Sequence, residues 1–581
     1  MLKEITLITA SGISLLLLFP IGLYSTGLPF LVLFLIHLLI HLYALGNALT
    51  TIHEAFFDEK SKQTLLAFIG GVVLPLLFLA ILSAAPVITR DALIHHLAVP
   101  KMWLQVGSIH EIPWHEWSYY PMLIQLAYTG FLSLGLEQLV SIYHGSFLLL
   151  LASLIVHFGS GRLSKNAVQL GVILSLTTPL FFRLGSSPYV DIPLIVFGFG
   201  AFLLVVNASE QTESDGRSTP LLLGALLGLT AGTKYNGLLF SGLLGGYYCF
   251  VCLKTKEQRK ALLPFLTSLI LIGSPWYVRN LLLTENPVFP LLASIFPGTE
   301  SGLIQVPSTA SSTPPSRFDK LLFPLHMILF GEDDSPFGYD GILSPLFLVL
   351  FIAPLSKANR KVALTGLFLF LAYAYTAVEL SGLRTRYLAP VLGVSLVLTL
   401  ISFDWLSARF STQIGKLFWT LLLFFQIGLG GYYAINLSMK RDVLPVLSGE
   451  ISPAKYRNLK VTESLLADVV ATKLPDEAKI YLLHTGNRYY LYDRAVFNSG
   501  YFSDRHILTW IKNPSVPIGD AFKKEGITHV AFHKERYLKA FASYKKEKFL
   551  SEEELKKWNA FATKDFSLLF EIGPYLIGEV K

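Results

Sequence analysis

The chain has 581 residues, of which 52% are hydrophobic and 15% charged, with a mean hydropathy of +0.54. Soluble globular domains carry about 25% charged residues, so the composition excludes an ordinary soluble enzyme and fits an α-helical polytopic membrane protein. The net charge of +7 comes without a dense basic block, which argues against a nucleic-acid partner.

Lys3 followed by an apolar run resembles a signal peptide. The run reaches Leu23 without a small-residue cleavage site, so it is expected to persist as the first span. Stretches near the bilayer-crossing length of roughly 20 apolar residues then recur near 28–48, 64–85, 138–158, 166–184, 189–207, 219–235, 236–253, 261–279, 341–356, 362–380, 387–402 and 416–436. Backbone groups find no water in lipid, so these are expected as about 13 transmembrane helices. Four short connections are basic: Arg162/Lys165, Lys254–Lys260, Lys357–Lys361 and Arg409/Lys416. All four fall on the cytoplasmic side if Tyr119–Gly135 lies flat in the outer interface instead of crossing. The N-terminus is then cytoplasmic. Residues 86–137, with interfacial helices, and residues 281–340 form long external loops, and the C-terminus is external as well.

After about Leu437 charges become frequent and apolar runs short. Residues 1–437 are therefore expected to form the transmembrane domain, and residues 438–581 a small extracytoplasmic α/β domain. Lys479–Thr485, Thr528–His533, Ser567–Glu571 and Tyr575–Glu579 read as strands, the last two as a hairpin around Gly573-Pro574. Asn458–Lys473 and Arg536–Lys546 read as helices.

The chemistry concentrates in Thr89–Pro121. The preceding span delivers Arg90 and Asp91 to the membrane boundary. His95, His96, Lys101, His110, Glu111, His115 and Glu116 follow, interleaved with Trp103, Trp114, Trp117, Tyr119 and Tyr120. Ionisable groups at membrane depth are costly and mark functional sites by default, and the aromatics suit a chain lying in the interface. In the expected topology, Asp191 in SSPYVDIP, Lys234 in AGTKYNG, Arg279 in PWYVRN, Glu379, and Arg384 and Arg386 in SGLRTRY reach the same outer face as Asp91. Each cation alone could snorkel to headgroups, but snorkelling does not account for the carboxylates among them. Arginine grips phosphate bidentately and lysine as a point charge, so the set suits an anionic lipid-linked substrate. Cations stabilise a departing phosphate. A carboxylate kept ionised by an arginine can take the proton of an acceptor hydroxyl.

These residues also follow a recognisable order. Asp91 lies just after a span in the first large external loop. Ser118-Tyr119-Tyr120-Pro121, Tyr189-Val190-Asp191-Ile192-Pro193, Gly232-Thr233-Lys234-Tyr235-Asn236-Gly237, Glu285-Asn286-Pro287-Val288-Phe289-Pro290 and Arg386-Tyr387 come after it. In this order and placement, over roughly residues 60–400, the chain resembles the GT-C type integral-membrane glycosyltransferases. That group includes protein O-mannosyltransferases, aminoarabinose transferases and RgtA/B/C/D-like proteins. The resemblance implies a polyprenyl-phosphate sugar donor, a lipid, glycan or protein acceptor, inversion at the anomeric carbon, and the inner membrane of a bacterial cell envelope. It makes Asp91 the general base. Members often carry a second acid close by, where this chain has Arg90, and a Pro-Pro pair near the position of Tyr120-Pro121. Lys234, Arg279, Arg384 and Arg386 are then expected to hold the donor phosphate, with Arg90, His95, Tyr189, Asp191 and Tyr235 at the sugar or acceptor.

A transporter or flippase for an anionic lipid or lipid-linked sugar is the alternative reading. Such proteins place charges near the midplane on broken helices within repeats, and no internal repeat is visible. A non-catalytic scaffold leaves the outer-face charges unexplained. No cofactor is required by the pattern. A divalent metal among His95, His96, His110, His115, Glu111 and Glu116 lacks support, because adjacent His95 and His96 diverge by about 100° on a helix. Cys249 and Cys252 read as packing, Glu332-Asp333-Asp334 as a solvated turn, and the Pro/Ser/Thr-rich Gln305–Arg317 as a flexible external loop.

Overall fold

A computed structural model describes residues 1–57, 62–208, 218–292, 294–296, 316–335, 339–486, 489–491, 496–498 and 505–581. Most of Gln305–Arg317 therefore lies outside the described residues. Eight helices are long and apolar enough to cross a membrane: Leu2–Tyr24, Leu28–Phe57, Gln63–Ala84, Glu137–Gly159, Asp191–Ala208, Arg360–Leu380, Thr385–Ser407 and Thr412–Arg441. Two bent pairs make up to ten, Lys165–Thr177 with Pro179–Gly185 at 50° and Lys256–Gly273 with Pro275–Thr284 at 54°. Each bend falls at a proline, which lacks a backbone donor and crowds the preceding turn. The other segments expected as spans are Ser218–Thr233, Tyr235–Cys252 and the 3-10 helix Pro345–Leu355.

The segment expected to lie flat in the interface contains the short helix Leu123–Ser133, whose residues Leu123 to Phe131 are all buried, packed against the first, second and fourth of those long helices. Its short apolar run is filled by protein on every side.

Helices approach most closely in a bilayer where side chains are small. On Ser218–Thr233, a Cβ at Gly224 would stand 2.2 Å from the Phe265 carbonyl oxygen, and one at Gly228 would stand 2.9 Å from the Gly273 nitrogen. The backbone there rests directly on Leu262–Gly273. Polar contacts sew three long helices together. His41 bonds Ser11 at 3.1 Å and Ser146 at 2.9 Å, while His37 bonds Ser14 at 3.0 Å and Tyr143 at 2.9 Å. Buried polar groups are tolerated at such depth when each finds a partner.

Beyond the last long helix the chain forms strands β1 (Ile480–Leu483), β2 (Val496–Asn498), β3 (His529–His533), β4 (Phe566–Ile572) and β5 (Tyr575–Val580). They make one sheet in the order β2-β1-β3-β5-β4. β1 is parallel to β2 and β3, and β5 is antiparallel to β3 and β4. Side-chain alternation sends Tyr481 and Leu483 to a core with Ile507, Phe522, Phe541 and Trp558. Ile480 and Leu482 face the other side with Leu466 and Val470. The unit docks on the first external loop: Lys101 Nζ donates to the Tyr489 carbonyl at 3.1 Å and Tyr490 OH to the Val87 carbonyl at 2.7 Å.

Candidate active site

The Gln63–Ala84 helix ends as Ala85 turns extended ahead of Pro86. A π-turn over Ala92–His96 then opens with Asp91 at its cap. Arg386 reaches it from a 3-10 turn, Thr385–Leu388, at the start of the Thr385–Ser407 helix. Its Nη1 donates to Asp91 Oδ2 at 2.5 Å, and the two side chains are 11% and 26% exposed. Burial pushes the Asp91 carboxyl up, but Arg386, His95 and Lys234 outweigh it and hold the group well below the usual carboxylate range. Burial also drives His95 down to about 4, against the pull of Asp91. At neutral pH Asp91 is an anion and His95 a neutral imidazole.

Lys234 occupies a single extended residue between the Ser218–Thr233 and Tyr235–Cys252 helices. The break aims its ammonium at Asp191, with Nζ 2.8 Å from Oδ1, and that carboxylate is 1% exposed. Asp191 sits in the first turn of its helix, where unpaired N–H groups favour a negative charge. Arg384 lies 5.6 Å over the Tyr387 ring, and among the described residues no carboxylate pairs with it. Arg386 and Lys234 face the same ring at 5.7 and 5.9 Å. Asp91, Asp191, Lys234, Arg384 and Arg386 thus gather around Tyr387, a residue of the Arg386-Tyr387 motif for which no role was expected.

The remaining expected residues divide. Tyr189 accepts from Tyr128 OH through its carbonyl and packs its ring 5.7 Å from His96, beside the cluster. His95 stacks on Trp117 at 5.8 Å. The expected divergence of His95 and His96 is corrected: the wider π-turn brings their ring centroids to 3.9 Å. Even so, the described residues contain no group of three or more His, Cys, Asp or Glu able to hold a metal ion. Arg90 is exposed. Arg279 turns away from Asp91 and donates to the carbonyls of Ser118 at 3.4 Å and His110 at 3.2 Å, so it braces the first external loop. Tyr235 OH donates to the Phe289 carbonyl at 2.6 Å and ties down the second.

Two further residues belong to the cluster. Asp340 Oδ2 pairs with Arg386 Nε at 3.0 Å, and Arg183 pairs with Asp340, Asp333 and Asp334 at 3.1–3.2 Å. The solvated turn expected at Glu332-Asp333-Asp334 holds for Glu332 and Asp334, which are exposed, and is corrected for Asp333, 13% exposed and held by Arg183 and Tyr433. An arginine inside the apolar run PLFFRLG was the signal for it.

A family model described as a domain of unknown function (DUF8201) matches residues 129–297, a stretch that holds Asp191 and Lys234 but neither Asp91 nor Arg386. No curated protein matches the chain in sequence. Among solved structures, ArnT from Cupriavidus metallidurans in the apo state is similar at a TM-score of 0.54 and 16% identity, over 89% of this chain and 98% of that one. The same protein bound to undecaprenyl phosphate gives 0.52 and 15%, over 88% and 97%. The oligosaccharyltransferase AglB from Archaeoglobus fulgidus, in complex with an inhibitory peptide and dolichol-phosphate, gives 0.37 and 12%, over 87% and 74%. This last likeness is too distant to carry argument.

The fold is like that of ArnT. Nearly the whole of ArnT is matched, and among its described residues this chain has eight helices long and apolar enough to cross a membrane. The charged cluster lies at the end of the bundle where the α/β unit docks. It brings the cations Lys234, Arg384 and Arg386 beside the carboxylates of Asp91, Asp191 and Asp340.

Proposed function

We propose that this protein is a membrane glycosyltransferase that moves a sugar from a polyprenyl-phosphate donor to an acceptor on a lipid, glycan or protein. The reading places it in the inner membrane of a bacterium with about 13 spans, the N-terminus in the cytoplasm, and residues 438–581 outside. The observation that carries it is the meeting of Asp91, Asp191, Lys234 and Arg386, from segments far apart in sequence, on a fold shared with a protein that has been solved with undecaprenyl phosphate bound.

In this reading Lys234, Arg384 and Arg386 take the donor phosphate, and Arg279 sets the loop that encloses it. Asp191 orients Lys234; Tyr189, His95 and Tyr235 shape the sugar and acceptor space, with Arg90 at the mouth. The acceptor oxygen attacks the anomeric carbon from the face opposite the phosphate while Asp91 takes its proton. The bond from carbon to phosphate oxygen breaks with its electron pair going to the phosphate, and the sugar inverts. The cations stabilise the charge that gathers there. The transport alternative gains nothing from charges grouped at helix ends.

The test is transfer from a polyprenyl-phosphate sugar in reconstituted membranes, preceded by mass spectrometry of lipid that co-purifies. Asp91→Asn keeps the side chain's shape and removes the base, and a loss of at least about 100-fold is expected from removing a general base. Near-normal turnover by a folded Asp91→Asn variant refutes the assignment.

A further inference from the structure

Arg183 gathers acidic residues from both described stretches near it, residues 332–335 and 339–341. Arg183, on the buried helix Pro179–Gly185, donates to Asp334 Oδ1 at 3.1 Å, to Asp340 Oδ1 at 3.2 Å, and to the Asp340 carbonyl at 3.2 Å. Gly341 N–H donates to the Glu332 carbonyl at 3.0 Å, and Thr385 N–H to the Tyr339 carbonyl at 2.6 Å. Tyr339 and Asp340 have φ of 64° and 41°. Residues with a Cβ rarely adopt this region, and they persist there when the surroundings over-determine them, commonly at functional sites. The result is a carboxylate in a fixed place. Asp340 gives Oδ1 to Arg183 and Oδ2 to Arg386 Nε at 3.0 Å, and it and both arginine side chains are 10–11% exposed.

Arg386 Nε makes no hydrogen bond, so Asp340 acts on the guanidinium by its charge at 3.0 Å, on the side away from the bond to Asp91. We propose that Asp340 is a positioning residue for Arg386. Its charge holds the guanidinium between two carboxylates, with Nη1 on Asp91, and keeps the arginine in place when phosphate displaces Asp91. The inference rests on Arg386 serving the donor phosphate.

The test is a double-mutant cycle in reconstituted membranes, with turnover of a polyprenyl-phosphate sugar and titration of undecaprenyl phosphate as readouts. Asp340→Asn keeps an acceptor oxygen for Arg183 and removes the anion facing Arg386. It is expected to weaken undecaprenyl phosphate binding and raise the donor KM by about 10-fold, the scale of one charged contact. In an Arg386→Lys background, which has no Nε, it should change either readout by less than about twofold, because coupled sites are not additive. Asp340→Glu should recover part of the loss. Effects that multiply in the double variant, or wild-type kinetics for Asp340→Asn, overturn the proposal. If Arg386→Lys alone leaves donor binding unchanged, the phosphate-site reading itself has failed, and this inference with it. Should Asp340→Asn not fold, Asp340→Ser carries the same cycle, since it removes the carboxylate and keeps a small hydroxyl for Arg183.

Discussion

Replacing Lys234 by Met tests the Lys234–Asp191 pair and the role of the lysine separately. Methionine fills similar volume and removes the charge. Asp191 is 1% exposed and Lys234 20%, so the variant leaves a carboxylate in protein without its cation. Breaking a buried pair in this way costs about 3–5 kcal/mol, whereas removing both charges is close to neutral. For a chain of 581 residues, an unfolding entropy of about 2.1 cal/mol/K per residue gives about 1.2 kcal/mol/K, so the single variant should melt about 2–4 °C lower. Lys234→Met with Asp191→Asn should return to within about 1 °C of the parent by the same arithmetic. The assay is thermal unfolding in one detergent, followed by titration with undecaprenyl phosphate. Restored stability with lipid phosphate binding still lost is the expected pattern. A double variant as labile as the single one shows that the two charges are not coupled. Undiminished lipid phosphate binding by Lys234→Met removes the lysine from the phosphate site.

Asp91 is held below, and His95 brought down to about 4, so both keep their working protonation states as pH falls from 8 to about 5. A depressed carboxylate loses its function only once pH falls through its lowered folded value, so kcat/KM for the donor, which reports the free enzyme, should be flat across that window. An acid limb centred near 6.5 that disappears in His95→Gln would contradict this. Gly237→Ala would set a Cβ 1.9 Å from the Thr230 carbonyl oxygen, inside the junction that presents Lys234. Overpacking against backbone costs about 1–3 kcal/mol or more, and a sharp fall in folded yield, read by size-exclusion chromatography, is expected.

How much of this was legible in the sequence depends on the kind of signal. Long apolar runs ended by charge, such as Leu28–Phe57 and Glu137–Gly159, declare themselves. Bends do not: hydropathy sees one run across Ser274-Pro275, where the helix turns by 54°. The burial of Leu123–Ser133 was not legible, because an apolar run of 11 residues looks the same whether lipid or protein covers it. In the α/β unit the strands with clear alternation were found. β2 (Val496–Asn498) and the helices Arg505–Lys512, Ile518–Lys524 and Glu552–Lys564 were not. Short elements are specified by what they pack on more than by their own pattern.

The site shows the same division in its charges. Charged residues at the ends of spans are visible one at a time, so Asp91, Asp191, Lys234 and Arg386 could be named; their partners could not. Asp91 and Arg386 stand 295 positions apart, and nothing local to either says that they touch. That contact also changes what the base can do. A carboxylate whose oxygen receives Arg386 at 2.5 Å is a poor proton acceptor, since taking a proton means giving up a short charged bond. In the proposed reaction an arriving donor phosphate competes for Arg386, and each step by which it draws the guanidinium away raises the basicity of Asp91. The base is therefore weak until a leaving group is bound, and an enzyme so arranged activates its acceptor in the presence of donor.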